Sequence, residues 1–210
     1  WLLLSLFACS PSSDPAGEDP AGDGSSDPSA GDTEAPCTPL AAVFFDLGET
    51  LATERDDGLF EERPGVTDLL VQLQDSGRPI GLITNVPAGY DDDDLRALLV
   101  DPSLLDRFDV LLLSSEAASD PKPDPAIFVE AVGLLADPPP IETTAFVTEE
   151  LAMIGNGRPP SEGARAAGMI GVHLTDEPPS PLADHTVAVR DLPSLADAPW
   201  VACIEAESTP

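Results

Sequence analysis

The run Ala41-Ala42-Val43-Phe44-Phe45-Asp46 constrains this chain more than any other segment. Apolar residues lead without interruption into an aspartate, and the turn Leu47-Gly48-Glu49-Thr50-Leu51 follows. A buried strand that delivers a carboxylate at its carboxyl end is how an open α/β sheet presents a nucleophile or a metal ligand.

From Ala41 onward, strand-like and helix-like segments alternate. Val43 to Asp46 reads as the first strand. Gly65 to Ser76 carries Val66, Leu69, Leu70 and Leu73 at i, i+3, i+4, i+7, a helical stripe that Gly77 stops. Ile80 to Thr84 reads as a second strand, and Asp91 to Leu105 as a helix with Leu95, Leu98 and Leu99 facing inward. The aspartates Asp91 to Asp94 suit the start of that helix, where the dipole favours negative charge, and lack the ligand spacing of a calcium loop. Val110–Leu113, Thr144–Val147 and Ile170–His173 read as further strands, with helices over Pro125–Leu135 and Ser161–Ala167. Thr186–Val189 adds an edge strand. This order predicts an α/β fold: a three-layer, Rossmann-like parallel sheet with helices on both faces.

Polar residues follow the strand ends in succession. Asp46 ends the first, Thr84-Asn85 the second, Lys122 lies beyond the third, and Glu149-Glu150 follow the fourth. Lys122 is the single lysine of the chain. A carboxylate nucleophile, a hydroxyl, one cation and further acids on one sheet edge suit Mg²⁺-assisted phosphoryl transfer. His173 reads as a packed core histidine, and His185 as a loop residue.

In order and wording these segments resemble the haloacid dehalogenase superfamily of hydrolases, mostly phosphatases. Lys122-Pro123-Asp124-Pro125-Ala126-Ile127-Phe128 and Gly163-Ala164-Arg165-Ala166-Ala167-Gly168-Met169 carry much of the resemblance, which covers about residues 41–195. It implies that Asp46 is the nucleophile and a Mg²⁺ ligand, with the Gly48 carbonyl as a second ligand. Thr84, with Asn85, and Lys122 would bind the phosphoryl group, and Glu149 or Glu150 would complete the metal site.

Two departures stand out. Family phosphatases usually place a second aspartate two residues after the nucleophile, to protonate the leaving group; here that residue is Gly48. Such assistance is typically worth ~10²–10⁴-fold, so turnover is expected to be slow, unless Glu49 or water substitutes. The fourth motif reads Thr148-Glu149-Glu150, then an insertion from Met153 to Pro160. The stretch from Asp46 to Thr84 holds a turn, a hairpin-like segment and one helix, leaving no room for the sizeable cap domain of many relatives. An open site suits a large or surface-bound phosphoester and counts against a dehalogenase. The competing expectation is a catalytically degenerate binding or scaffold domain.

The N-terminus reads differently. Trp1-Leu2-Leu3-Leu4-Ser5-Leu6-Phe7-Ala8-Cys9 resembles the end of a bacterial lipoprotein signal peptide whose cysteine is lipidated, with the start of that leader missing. Ser10 to Pro39 holds seven acidic residues, no basic ones and many Pro, Gly, Ser and Ala, a composition that does not fold alone. The expected organisation is a partial signal segment at 1–8, a disordered acidic tether at 9–40, the hydrolase domain at 41–195 and a C-terminal tail at 196–210. The domain would then sit at the bacterial cell envelope, held to the membrane through Cys9; a cytosolic enzyme with a misread N-terminus is the alternative. Outside the cytoplasm, Cys37 and Cys203 can pair. The net charge of −30 excludes nucleic acid as a partner.

Overall fold

The computed structural model describes residues 38–157 and 159–203. The signal segment, Cys9, Cys37 and the tether through residue 37 lie outside them. Cys203 is disulfide-bonded.

The chain runs β1 (Ala42–Phe45), β2 (Ala52–Glu54), β3 (Phe60–Glu62), α1 (Val66–Asp75), β4 (Ile80–Thr84), α2 (Asp92–Ala97), β5 (Val110–Leu113), α3 (Pro125–Gly133), β6 (Thr144–Thr148), α4 (Leu151–Ile154), α5 (Ala164–Ala167), β7 (Ile170–Leu174), β8 (His185–Val187) and α6 (Pro199–Ala202). Short 3-10 helices fill Pro102–Arg107, Ile141–Thr143 and Val189–Asp197. Six strands form one parallel sheet in the order β5-β4-β1-β6-β7-β8. β2 and β3 form a separate antiparallel hairpin.

Alternation along β1 divides the core into two layers. Val43 and Phe45 face α1 and the 3-10 segments, packing with Leu69, Leu70, Leu105, Leu192 and Leu195. Ala42 and Phe44 face the opposite way, into a cluster with Ile127, Phe128, Ala131 and Met169. The sheet is thus covered on both faces, as a run of apolar residues in a parallel sheet requires. Phe44, Phe45, Phe128 and Phe146 are fully buried, each worth about 1.5–3 kcal/mol of hydrophobic stabilisation. Phe128 meets Phe146 edge-on at 4.9 Å.

The apolar stripe of α1 is buried as its spacing predicts. The stretch from Asp91 to Leu105 is not one helix. Asp91 and Asp94 form a reciprocal capping box that starts α2, which ends at Ala97. Leu98 and Val100 then bond to the backbone of Phe60, and Pro102 holds Asp101 in an extended conformation. A 3-10 helix follows. Ser161 to Ala167 likewise shortens to Ala164–Ala167, and the edge strand falls at His185–Val187 instead of Thr186–Val189.

β1 lies between β4 and β6, with the chain crossing to one side through α1 and returning to the other through α3. This is the point where strand order reverses, and in open α/β sheets ligands bind beyond the carboxyl ends there. Between β1 and β4, the segment holds only the hairpin, whose turn is residues 55–59, and α1.

Candidate active site

The carboxyl ends of β1, β4 and β6 bring Asp46, Thr84 and Thr148-Glu149 to one edge of the sheet. The Asp46 side chain is 13% exposed. Its Oδ1 accepts the Leu47 N–H at 2.8 Å and the Lys122 ammonium at 2.8 Å. Those two donors fix the carboxylate's orientation.

Lys122 is 4% exposed. Besides Asp46, its Nζ donates to the Ile83 carbonyl at 2.7 Å and sits 5.1 Å from the centre of the Phe146 ring. Burial pushes its pKa below the usual lysine value, opposed first by the Asp46 carboxylate and then by Glu149 and Glu150. Lys122 reaches this position through a backbone clamp. The Asn85 amide donates from Nδ2 to the Lys122 carbonyl at 2.9 Å and accepts the Lys122 N–H on Oδ1 at 3.1 Å. The family resemblance implies a phosphoryl contact for Asn85; in the structure its amide holds the main chain of Lys122. Thr84, buried at the end of β4, stands directly before this clamp.

On β6, Thr148 is fully buried, and its Oγ1 lies 3.4 Å from both Asp46 Oδ2 and Glu149 Oε2. One hydroxyl hydrogen can serve only one of them at a time. Glu149 Oε2 also accepts the Thr50 hydroxyl at 2.6 Å, and Thr50 Oγ1 accepts the Glu149 N–H at 3.2 Å. His173 Nε2 meets the Glu149 carbonyl at 3.0 Å, so this core histidine also braces the loop after β6. Glu150 is exposed, capping α4 with its backbone while its N–H donates to Thr148 Oγ1 at 3.1 Å. Asp46 and Glu149 thus converge on one hydroxyl. Among the described residues, no three or more His, Cys, Asp or Glu side chains gather as a metal site. Two carboxylates are nevertheless a donor set that suits Mg²⁺, which keeps several of its waters.

The turn after Asp46 is also organised. Glu49 adopts a left-handed backbone with φ 53°. Its Oε2 lies 3.3 Å from Arg63 Nη2, which also donates to the Glu49 carbonyl at 2.7 Å, while Oε1 accepts the Glu54 N–H at 3.2 Å. Gly48 has room for a Cβ, which would meet only the Phe60 ring, at 3.6 Å. Phe60 is itself pinned, its N–H donating to the Leu98 carbonyl at 2.8 Å and its carbonyl accepting the Val100 N–H at 2.9 Å.

Thr50, Thr148 and His173 are contacts that spacing alone does not reveal. Each lies in a recognisable segment, yet their shared partner Glu149 is fixed only by the pairing of β1, β6 and β7.

No family model matches the sequence, and no curated protein is similar to it in sequence. Solved structures do share the fold. A protein of Thermotoga maritima assigned as a beta-phosphoglucomutase superposes with a TM-score of 0.57 at 15% identity, over 75% of this chain and 99% of its own. A haloacid dehalogenase-type phosphatase from Thermococcus onnurineus gives 0.55 at 18% identity, over 74% and 97%. CbbY from Rhodobacter sphaeroides, solved with phosphate, gives 0.52 at 16% identity, over 70% and 93%. The architecture is therefore the three-layer α/β fold of haloacid dehalogenase-like hydrolases.

Proposed function

We propose that this protein is a hydrolase, a Mg²⁺-dependent phosphatase that works through an aspartyl-phosphate on Asp46. The observation that carries the reading is the buried Lys122 ammonium held 2.8 Å from Asp46 at the sheet's reversal point. A carboxylate so oriented is positioned to attack phosphorus, and the lysine beside it neutralises phosphoryl charge. Thr84 contributes a hydroxyl to the phosphoryl oxygens, and Asn85 holds Lys122 in register. Asp46, Glu149 and the Gly48 carbonyl would hold Mg²⁺, which supplies further neutralisation of the transferring group. Glu150 lies at the rim and contributes long-range negative charge. That one structural neighbour was solved with phosphate supports the substrate class.

Among the described residues the segment between β1 and β4 holds only the hairpin, with its short turn, and α1, which supports a large or surface-bound phosphorylated substrate. The protein is exported and anchored to the bacterial envelope through a lipidated Cys9, with residues 9–40 as the tether, residues 41–195 as the hydrolase domain and Cys37 as the candidate partner of Cys203. Fractionation tests the anchor: Cys9→Ala moves the protein from membrane to soluble fractions, and an unchanged distribution rejects it.

The catalytic reading is tested by phosphate release from p-nitrophenyl phosphate by the full chain, with and without Mg²⁺, beside Asp46→Asn. Mg²⁺-dependent release that the variant lacks is expected; equal release by both rejects Asp46 as nucleophile. Gly48 favours a second reading, a domain that binds its phosphorylated partner without turnover. Absence of release, with Mg²⁺ still raising the melting temperature, would select it.

A further inference from the structure

We infer that this site is built for phosphoryl donors whose leaving group departs as a stable anion without taking a proton: acyl phosphates and phosphates of acidic phenols, in preference to alkyl phosphate esters. The inference rests on the phosphatase reading above and names the substrate class of the same site.

The turn from Leu47 to Leu51 is the segment that lies against Asp46 on the hairpin side, and it offers no free proton donor. Gly48 has no side chain, and the surface nearest its missing Cβ is the apolar edge of the Phe60 ring at 3.6 Å. Glu49 is turned into contacts with Arg63 and the Glu54 N–H, engaging both of its carboxylate oxygens. The Thr50 hydroxyl donates to Glu149 at 2.6 Å. Of the cation's donors, two are directed to Asp46 and the Ile83 carbonyl. Phe60 is held by backbone bonds to Leu98 and Val100, so the hairpin does not exchange its apolar face for a polar one without breaking them.

The chemistry then divides cleanly. An Asp46 carboxylate oxygen bonds to phosphorus, the bond from phosphorus to the leaving oxygen breaks, and the electron pair departs with that oxygen. A carboxylate leaves readily, its conjugate acid having a pKa near ~4; a phenoxide, near ~10, leaves less readily, and an alkoxide scarcely at all without a proton. In the second step a water oxygen bonds to phosphorus, the bond to Asp46 breaks, the pair returns to the Asp46 carboxylate and the water proton passes to solvent. That step again expels a carboxylate and needs no acid.

The test compares kcat/KM of the full chain with Mg²⁺ on acetyl phosphate, p-nitrophenyl phosphate, phenyl phosphate and glycerol 2-phosphate. This parameter reports the reaction through departure of the first leaving group. A fall of at least ~10²-fold from acetyl to phenyl phosphate is expected, the scale of missing general-acid assistance. Gly48→Asp, at a position where a Cβ would meet only the Phe60 ring at 3.6 Å, should raise the ratio of kcat/KM on phenyl phosphate to kcat/KM on acetyl phosphate, whereas Gly48→Asn should not raise that ratio. Values for the native chain within about tenfold across the series overturn the inference while the phosphatase reading stands. No turnover of any of the four donors overturns the phosphatase reading, and the inference falls with it.

Discussion

The Thr50 hydroxyl donates to Glu149 Oε2 at 2.6 Å and takes the Glu149 N–H at 3.2 Å, joining segments 99 residues apart in sequence. Thr50 is fully buried. The turn after β1 and the loop after β6 are therefore one hydrogen-bonded unit, and the acid that follows β6 is oriented from β1's side. Thr50→Val keeps the shape and removes both bonds, leaving the Glu149 N–H without a partner in a confined place. A loss of about 1–3 kcal/mol is expected, read as a lower urea midpoint. Because Glu149 is the proposed Mg²⁺ ligand, the Mg²⁺ concentration for half-maximal turnover should rise as well. Thr50→Ser, which retains the hydroxyl, should restore most of both. An unchanged Mg²⁺ requirement in Thr50→Val would separate Glu149 from the metal.

Lys122 and Asp46 carry opposite charges in a nearly closed environment. Removing one partner of a buried pair leaves the other uncompensated, at a cost of about 3–5 kcal/mol, whereas removing both costs much less. Lys122→Met should therefore be strongly destabilised, and Asp46→Asn in the same chain should recover part of that loss. Urea denaturation of the native chain, both single variants and the double variant measures the coupling; additive losses would mean that the pair is not energetically joined. Neither variant should turn over substrate.

Asn85 offers a sharper test of position against contact. Its amide makes two bonds to the Lys122 backbone. Asn85→Ala should lower kcat by misplacing the lysine while changing KM less than Lys122→Ala does. A loss confined to KM would instead make Asn85 a direct phosphate ligand.

Much of this architecture was legible in the sequence because the apolar signals are local. Val43 to Asp46, the α1 stripe and the β4 run each declare their element and burial without reference to anything distant. The Asp46, Thr84, Lys122 and Glu149 positions follow, since strand ends of a parallel sheet converge on one edge. Tertiary constraints were not legible. The helix from Asp91 is cut short because the Leu98–Val100 backbone bonds to Phe60 on the hairpin, a partner that helical periodicity does not encode. Asn85 reads as a polar residue beside Thr84, and only the return of the chain at Lys122 shows its amide engaged by a backbone. Glu49 fills the right neighbourhood for an acid, yet Arg63, 14 residues on, takes its carboxylate.

Gly81 stands opposite Phe44 in the β1–β4 register. A Cβ on Gly81 would fall 2.3 Å from the Phe44 ring, which is fully buried and has no room to retreat. Gly81→Ala should therefore overpack the layer beneath α3 and cost about 1–3 kcal/mol. Phe44→Leu in the same chain should recover part of the loss by vacating the ring's space. If Gly81→Ala melts at the native temperature, the close approach of ring and backbone is not a constraint.

His185 gives the fold a pH signature outside the active site. Its ring stacks on Trp200 with centroids 4.5 Å apart and planes 10° from parallel. Burial pushes its pKa below the ordinary histidine value, and the neighbouring Asp184 carboxylate only partly opposes this. The folded state thus prefers the neutral ring. Between the folded value and the unfolded value near ~6.5 the unfolded chain binds more protons, so stability rises with pH across that window. The penalty is complete below the folded value and absent above the unfolded one. His185→Phe preserves a stacked ring and removes the titration. The difference in melting temperature between the variant and the native chain should accordingly be largest at about pH 5 and shrink towards pH 8. A difference that stays constant across that range would show that the imidazole carries no penalty when charged, and that the stack on Trp200 accommodates the cation.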